Sequence, residues 1–353
     1  MTTPTVPAGI DYEGVSRYFA KNVPGGDAPL VVTLISGGKS NLTYKISSPT
    51  ESWVLRRPPL GHVLPTAHDM SREFNVLDGL SKTDVPAPRT VALCLDTSVN
   101  GAPFYVMEYR EGVILAEELP DDYATTPEER KALSMGLIKT LAQLHAVDYN
   151  AIGLGEFGRP AGYIERQVRR WHEQWERSKT RELPEIDEVI RRLRNALPES
   201  PAPTIVHGDY RLGNMMMDFD EPGRVVAILD WEMATLGDPL SDLGYTLLYW
   251  TEPDDPPEAI AGSMVTAEPG FSSRAELINE YARLTGRDVS HVDFYTVLAA
   301  YKLAVIIEGI HARFLAGETV GEGFDGYDVR AAHLVNRALM LANESSDPKL
   351  RSA

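Results

Sequence analysis

Apolar and polar residues alternate with a period of two through LVVTLI, LTYKISS and SWVLRR, and that period predicts three successive strands between Leu30 and Arg57. Ahead of them, Asp11 to Asn22 reads as a short helix ended by the PGGD turn at Pro24 to Asp27. Pro58, Pro59 and Pro65 then keep the chain out of a helix until Ser71. From Ser71 to Leu80 the period lengthens, with Phe74, Leu77 and Leu80 as the apolar stripe and Glu73 on another face. TVALCLD and PFYVMEYREG flank the turn NGAP and form a hairpin.

Beyond Thr125 the pattern is mainly helical. Leu133, Leu137, Leu141 and Leu144 mark a core helix that carries His145, read as a packed or capping histidine with no carboxylate partner at catalytic spacing. Ile164, Val168, Trp171 and Trp175 mark a second. Thr204 to Val206 is a short apolar strand, and MMMDFDEPGRVVAILD folds back on itself across EPG. The segments FYTVLAAYKLAVIIEGIHARFL and DVRAAHLVNRALMLAN close the chain as helices. Strands first and helices after describe an α+β protein.

Composition narrows this picture a little. With 353 residues, 43% hydrophobic and 24% charged, the chain can bury the cores of two lobes. A net charge of −17 argues against general affinity for nucleic acid or an anionic membrane. Cys94 is the only cysteine, so no internal disulfide forms, and its apolar surroundings suit a core thiol. The start MTTPTVPAGIDYEG has neither a basic nor an apolar run, and no membrane-spanning segment stands out, which leads to a cytoplasmic expectation.

The chemistry concentrates in HGDYRLGNMMMDFDEPGRVVAILD, His207 to Asp230. Phosphoryl transfer needs a carboxylate near the nucleophile and oxygens that hold Mg²⁺ on the phosphates. Asp209 is the candidate for the first role, orienting or deprotonating a substrate hydroxyl. Asn214, five residues on, and Asp230, at the end of VVAIL, are the candidate Mg²⁺ ligands. Arg211 is placed to offset charge on the transferred phosphoryl group, and His207 to brace the loop.

Other candidates precede that stretch. The hairpin tip SGGKSN brings Gly37, Gly38, Ser40 and Asn41 to a position where backbone N–H groups could cover phosphates, or where the glycines simply make a turn. Arg56, with Arg57 as the other choice, is a strand-end cation for the α- and β-phosphates of ATP, or a solvated charge. Glu73 could orient it. The backbone around Glu108, Tyr109 and Arg110 could meet an adenine edge where the strand leaves the first lobe. Arg166, Arg169, Arg170, Arg177, Lys179 and Arg181 are either a surface for an anion or a solvated face paired with Glu165, Glu173 and Glu176.

In that order, H-x-D-x-x-x-x-N, a strand-end Asp, a glycine hairpin, a strand cation and a helix Glu resemble the aminoglycoside phosphotransferase and choline kinase group, from about Leu30 to Tyr249. The resemblance implies a bilobal protein-kinase-like fold. A nucleotide-binding lobe of residues 1–110, hinge included, would precede a catalytic and substrate-binding lobe of residues 111–353. It implies an ATP- and Mg²⁺-dependent kinase acting on a small-molecule hydroxyl, with Asp242 of GDPLSDLGY holding the catalytic loop. No APE follows ILDWE, which speaks against a protein substrate.

More narrowly, SGGKSNLTY, WVLRRPP, YIERQVRRW and HGDYRLGNMM are similar to phosphotransferase domains fused to or encoded with acyl-CoA dehydrogenases. That likeness implies a hydroxyacyl-CoA or hydroxy acid acceptor and a functional link to such a dehydrogenase. The alternatives are an aminoglycoside or amino-alcohol kinase, and a nucleotide-binding module without catalysis. A two-metal phosphoesterase needs clustered ligands that the scattered histidines do not supply. Tyr245, Tyr249, Trp250 and Tyr301 line a substrate pocket or fill the core.

Overall fold

The computed structural model describes residues 6–36, 41–60, 69–256, 261–317 and 326–351. The chain divides into two compact units, Met1–Glu111 and Gly112–Ala353.

The first unit holds α1 (Tyr12–Asn22), β1 (Val31–Ser36), β2 (Leu42–Ser47), β3 (Ser52–Arg57), α2 (Met70–Leu80), β4 (Thr90–Cys94) and β5 (Phe104–Glu108). The strands form one antiparallel sheet in the order β1-β2-β3-β5-β4. Asp11 starts α1 by accepting from the Gly14 N–H at 2.9 Å. Val15 and Phe19 of that helix then pack on Tyr44, Trp53, Leu55 and Phe104. Phe19 meets Trp53 edge to face, with ring centroids 5.7 Å apart. Trp53 and Leu55 point into this core, so Val54 and Arg56 point to the other face of the strand.

Asp69 caps α2 through the N–H groups of Ser71 and Arg72. The structure corrects the sequence pattern here. Glu73 is 2% exposed and shares the buried face with Val76, Leu77 and Leu80, while Phe74 is only half-buried. Spacing of three, four and seven from Glu73 puts these residues on one side, and the carboxylate tolerates that side because partners meet it there.

The second unit contains β6 (Val113–Ile114), α3 (Pro127–His145), α4 (Tyr163–Ser178), α5 (Pro184–Asn195), β7 (Thr204–Val206), β8 (Met215–Met217), β9 (Val225–Ile228) and β10 (Thr235–Gly237). These are followed by α6 (Leu240–Tyr249), α7 (Arg274–Thr285), α8 (Val292–Leu315), α9 (Tyr327–Glu344) and α10 (Pro348–Arg351). Thr126 and Glu129 close a capping box on α3, whose Leu133, Leu137, Leu141 and Leu144 are fully buried. β7 pairs with β10, and β8 lies between β6 and β9.

Among the described residues one helix, α8, is long and apolar enough by length and composition to cross a membrane, although no such segment stands out in the sequence analysis above. It packs against α6, α9 and α4, and 78% of its apolar window is buried inside the unit. Apolar residues all round a helix fit such a central position. A Cβ at Gly244 of α6 would come within 2.5 Å of the Tyr295 backbone, so this glycine allows α6 and α8 their close approach.

Candidate active site

The loop after β7 is shaped from beneath by a buried acid. Asp242, at the start of α6, is fully buried and accepts hydrogen bonds from the His207 N–H at 2.7 Å and the Gly208 N–H at 2.8 Å. Gly208 has φ +85°, and a Cβ there would lie 2.7 Å from the Met233 carbonyl oxygen, so only glycine fits. Tyr210 anchors the far side of the turn. Its hydroxyl donates to the Leu137 carbonyl at 2.8 Å, and its own carbonyl accepts from Thr246 Oγ1 at 2.9 Å.

Two histidines complete the support. His207 donates from Nε2 to the Leu229 carbonyl at 2.9 Å and packs edge to face on Trp231, which is the bracing role its sequence position suggests. His145 is buried, as its place on a core helix suggests, and meets a carboxylate that sequence spacing does not show: its Nε2 lies 3.3 Å from Asp242 Oδ2. Since a carboxylate accepts, Nε2 carries the proton, and Nδ1 accepts from the Tyr281 hydroxyl at 2.8 Å. Burial holds His145 below its ordinary pKa despite Asp242. Burial pushes Asp242 up, but His145, His207 and the Gly208 N–H outweigh it and leave the carboxyl below the usual range.

Above this support, Asp209 is partly open, with 21% of its side chain exposed. Asn214 Nδ2 donates to its Oδ2 at 2.7 Å and to its main-chain oxygen at 2.8 Å. Arg211 Nε stands 3.4 Å from Oδ1, and its guanidinium lies over the Tyr249 ring, 5.1 Å from the centroid. Burial works against the Arg211 charge, but Asp209, Tyr249 and Tyr245 more than offset it and raise its pKa. A carboxylate, its orienting amide and a fixed cation therefore meet on one turn.

Strand register brings Asn214 and Asp230 to the same end of the β8–β9 hairpin. Met215 pairs with Ile228, and the Leu229 N–H donates to the Asn214 carbonyl at 2.8 Å. Asp230 adopts φ 65° and ψ 69°, a left-handed conformation that costs a non-glycine residue about 1–2 kcal/mol. Because Asp209 takes up Asn214 Nδ2, the amide oxygen Oδ1 faces away from it. That oxygen and the Asp230 carboxylate are the hard-oxygen groups this register brings to one end of the hairpin, and Mg²⁺ commonly takes one or two protein ligands with phosphates and water. Among the described residues no group of three or more His, Cys, Asp or Glu could hold a metal, as a two-metal phosphoesterase would require.

In the first unit, Arg56 rather than Arg57 pairs with Glu73, Nε to Oε2 at 2.9 Å. Arg57 is buried and donates to the carbonyls of Gly9, Pro58 and Asn100. Glu73 also accepts from Tyr105, at 3.0 Å, and from Asn41. Tyr105 lies directly across the β3–β5 ladder from Arg56, which is why both reach one carboxylate. Glu108 accepts from the Arg89 N–H at 2.8 Å and from Arg110 Nε at 2.7 Å, while Lys45 lies 3.9 Å from the Tyr109 ring centroid. Gly37, Gly38 and Ser40 fall outside the described residues.

The undecided aromatic residues separate. Trp250 and Tyr301 are core, with Trp250 Nε1 bonded to the Ser272 carbonyl at 2.8 Å. Tyr245 and Tyr249 stack at 5.1 Å, and Lys302 of α8 stands 4.8 Å over Tyr245. Much of the basic set is paired: Arg169 with Glu173, Lys179 with Glu176 and Glu182, Arg181 with the buried Glu308, and Arg166 with the carbonyls of Arg159 and Ala161.

Comparison with known proteins finds a match to the phosphotransferase enzyme family over residues 31–277. Acyl-CoA dehydrogenase family member 11 of Rattus norvegicus is 35% identical over 321 residues, covering 89% of this chain and 41% of the relative. The chain thus spans about two fifths of the length of the curated relatives it matches first. Among solved structures, a candidate aminoglycoside phosphotransferase of Ralstonia eutropha is 34% identical, with a TM-score of 0.78, and the match covers 93% of this chain and 98% of that one. A thermostable mutant aminoglycoside phosphotransferase, solved with ADP and hygromycin B, shares the fold at 14% identity and a TM-score of 0.61, covering 95% of this chain and 99% of that one.

Proposed function

The chain belongs to the phosphotransferase enzyme family as a small-molecule kinase, and we propose that it moves the γ-phosphoryl group of ATP to the hydroxyl of a hydroxy acid or hydroxyacyl-CoA. One observation carries the reading: Asp209, partly exposed, is oriented by Asn214 on a loop whose backbone is pinned by Asp242. In this scheme the substrate O–H donates to Asp209, and the substrate oxygen forms a bond to the γ-phosphorus. The bond from that phosphorus to the β–γ bridging oxygen breaks, its electron pair leaves with ADP, and the substrate proton passes to the Asp209 carboxylate. Arg211 offsets charge on the transferred group.

Asn214 and Asp230 would hold Mg²⁺, which when bound neutralises phosphate oxygens. Arg56, oriented by Glu73, is assigned to the α- and β-phosphates, and the Glu108 to Arg110 backbone to adenine. ADP in a structural neighbour supports the nucleotide. The acyl acceptor, and a functional link to an acyl-CoA dehydrogenase, are supported by the names of the relatives. The cations Lys302 and Arg211, which already occupy the Tyr245 and Tyr249 faces, also favour an acyl acceptor over an amino one.

ADP formation from Mg·ATP, measured against hydroxy acids, hydroxyacyl thioesters, choline and amino-sugars, tests the assignment. Response to the acyl compounds is expected. Response to amino acceptors alone would overturn the acyl preference, and nucleotide binding with no transfer to any hydroxyl would make the chain a non-catalytic module.

A further inference from the structure

We propose that Lys302 is the cation that recognises the acceptor, receiving its acyl oxygen in the cleft formed by α4, α6 and α8. The inference rests on the reading of the Asp209 loop as a hydroxyl kinase and names the subsite for the rest of the substrate.

Lys302 is an unusual residue for its place. It interrupts the buried run from Val297 to Val305, in a helix whose other members there are apolar or aromatic. An ammonium in such a setting is costly unless something meets it. Its Nζ donates to the Gly208 carbonyl at 2.8 Å and lies 4.8 Å and 5.7 Å from the ring centroids of Tyr245 and Trp171. Among the described residues it forms no ion pair, and an ammonium has three donors. The others are shared between the two rings and the cleft that the side chain lines with Gln167, Trp171, Ser241, Tyr245, Leu298 and Ala299, where a ligand oxygen can accept.

The cleft encloses only about 40 Å³, so its lining suits the oxygen-bearing end of an acyl group, with the rest of the acceptor lying outside it. Leu298, Ala299 and the aromatic rings supply apolar wall, while the lysine supplies the fixed donor. Both aromatic faces nearest the cation are occupied by it, so a quaternary ammonium would meet like charge instead of an open ring. Gly208 immediately precedes Asp209, so an oxygen held at Lys302 would tether the substrate next to the carboxylate that receives its proton. Burial lowers the lysine's pKa, with Asp209 and Asp242 acting in the opposite sense; an arriving carboxylate would add to their effect.

Binding of three probes, hexanoate, S-hexanoyl-pantetheine and hexan-1-ol, to the full chain by calorimetry without ATP, so that none can be phosphorylated, separates this role from a structural one. Lys302→Met is expected to weaken whichever acyl probe the cleft accepts by about tenfold or more, a loss of about 1.4 kcal/mol, and to leave hexanol within about twofold. The acid and the thioester tell which form of the acyl oxygen is taken. Lys302→Arg, which keeps the cation, should retain part of the affinity, and Lys302→Gln serves the same comparison if the Met variant does not fold. Equal losses for all three probes, no loss for either acyl probe, or no acyl binding by the wild type would each overturn the proposal. Asp209→Asn should bind the acyl probe like the wild type while losing transfer. If that variant still transfers phosphate, the kinase reading of Asp209 fails and the Lys302 result stands apart from it.

Discussion

Glu73 and Asp242 are both carboxylates hidden from water, 2% and 0% exposed, yet they are satisfied by different kinds of partner. Glu73 meets side chains: Arg56, Tyr105 and Asn41 converge on it from strands and a loop of the first unit. Asp242 meets the main chain, through the N–H groups of His207 and Gly208, with the His145 side chain also held against it. The contrast separates two ways a buried acid can serve a site. One aims a charged side chain, and the other fixes the course of a loop.

Substitution should therefore have different consequences at the two positions. Asp242→Asn leaves one oxygen for two N–H donors and sets an amide against a packed loop. We expect about 3 kcal/mol of lost stability in urea titration, together with a fall in kcat. A stable, inactive variant would show that Asp242 acts in the chemistry instead of in the loop.

Glu73→Gln keeps an acceptor but removes the charge that orients Arg56. The expected result is a rise of about tenfold in KM for ATP with stability nearly intact, which corresponds to about 1.4 kcal/mol. Arg56→Met should raise KM in the same way and also lower stability, because it leaves the buried Glu73 carboxylate without its cation. Arg57→Met should lower stability but spare KM, because Arg57 is spent on the carbonyls of Gly9, Pro58 and Asn100. If Arg57→Met raises KM as much as Arg56→Met does, the division between the two arginines is wrong.

The pH dependence tests the His145–Asp242 side of the contrast. Burial lowers His145 below its ordinary 6.5, so as pH falls through that value the unfolded chain binds a proton that the folded chain refuses. Stability is full above about 6.5 and should fall toward the folded pKa by up to about 1.4 kcal/mol per pH unit. His145→Gln should flatten that slope in thermal melts, and an unchanged slope would assign it to other groups. Asp242, shifted down, adds stability that persists at neutral pH and is lost only below about 4.

The smallest effect is expected on α4. Arg169 and Glu173 are both more than half exposed and 3.7 Å apart, so Arg169→Gln should change stability by under about 0.5 kcal/mol and leave the acceptor KM alone. A large rise in that KM would restore this helix as an anion-binding surface.

Local pattern was enough to read much of this. The three strands after Leu30, the β4–β5 hairpin, and the Asp209, Asn214 and Asp230 stretch all depend on neighbours close in sequence, where period and turn chemistry decide. What escaped depends on which distant segments meet. β3 pairs with β5 across the intervening α2 and β4, and only that register sets Tyr105 beside Arg56 on Glu73. His145 finds Asp242 from 97 residues away, and Lys302 finds Gly208 from 94. The apolar stripe misplaced Glu73 because hydrophobicity cannot tell a solvated carboxylate from one that buried partners await.

The central claim is that the Asp209 loop transfers phosphate to a carbon-borne hydroxyl. Phosphorus NMR of the wild type and Asp209→Asn, each with Mg·ATP and a responsive hydroxyacyl acceptor, tests it most directly. The account predicts one phosphomonoester on the acceptor per ADP formed by the wild type, and a rate lower by about a thousandfold or more in the variant at nearly unchanged ATP affinity. ADP accompanied only by inorganic phosphate, or ester formation by Asp209→Asn at the wild-type rate, would contradict it.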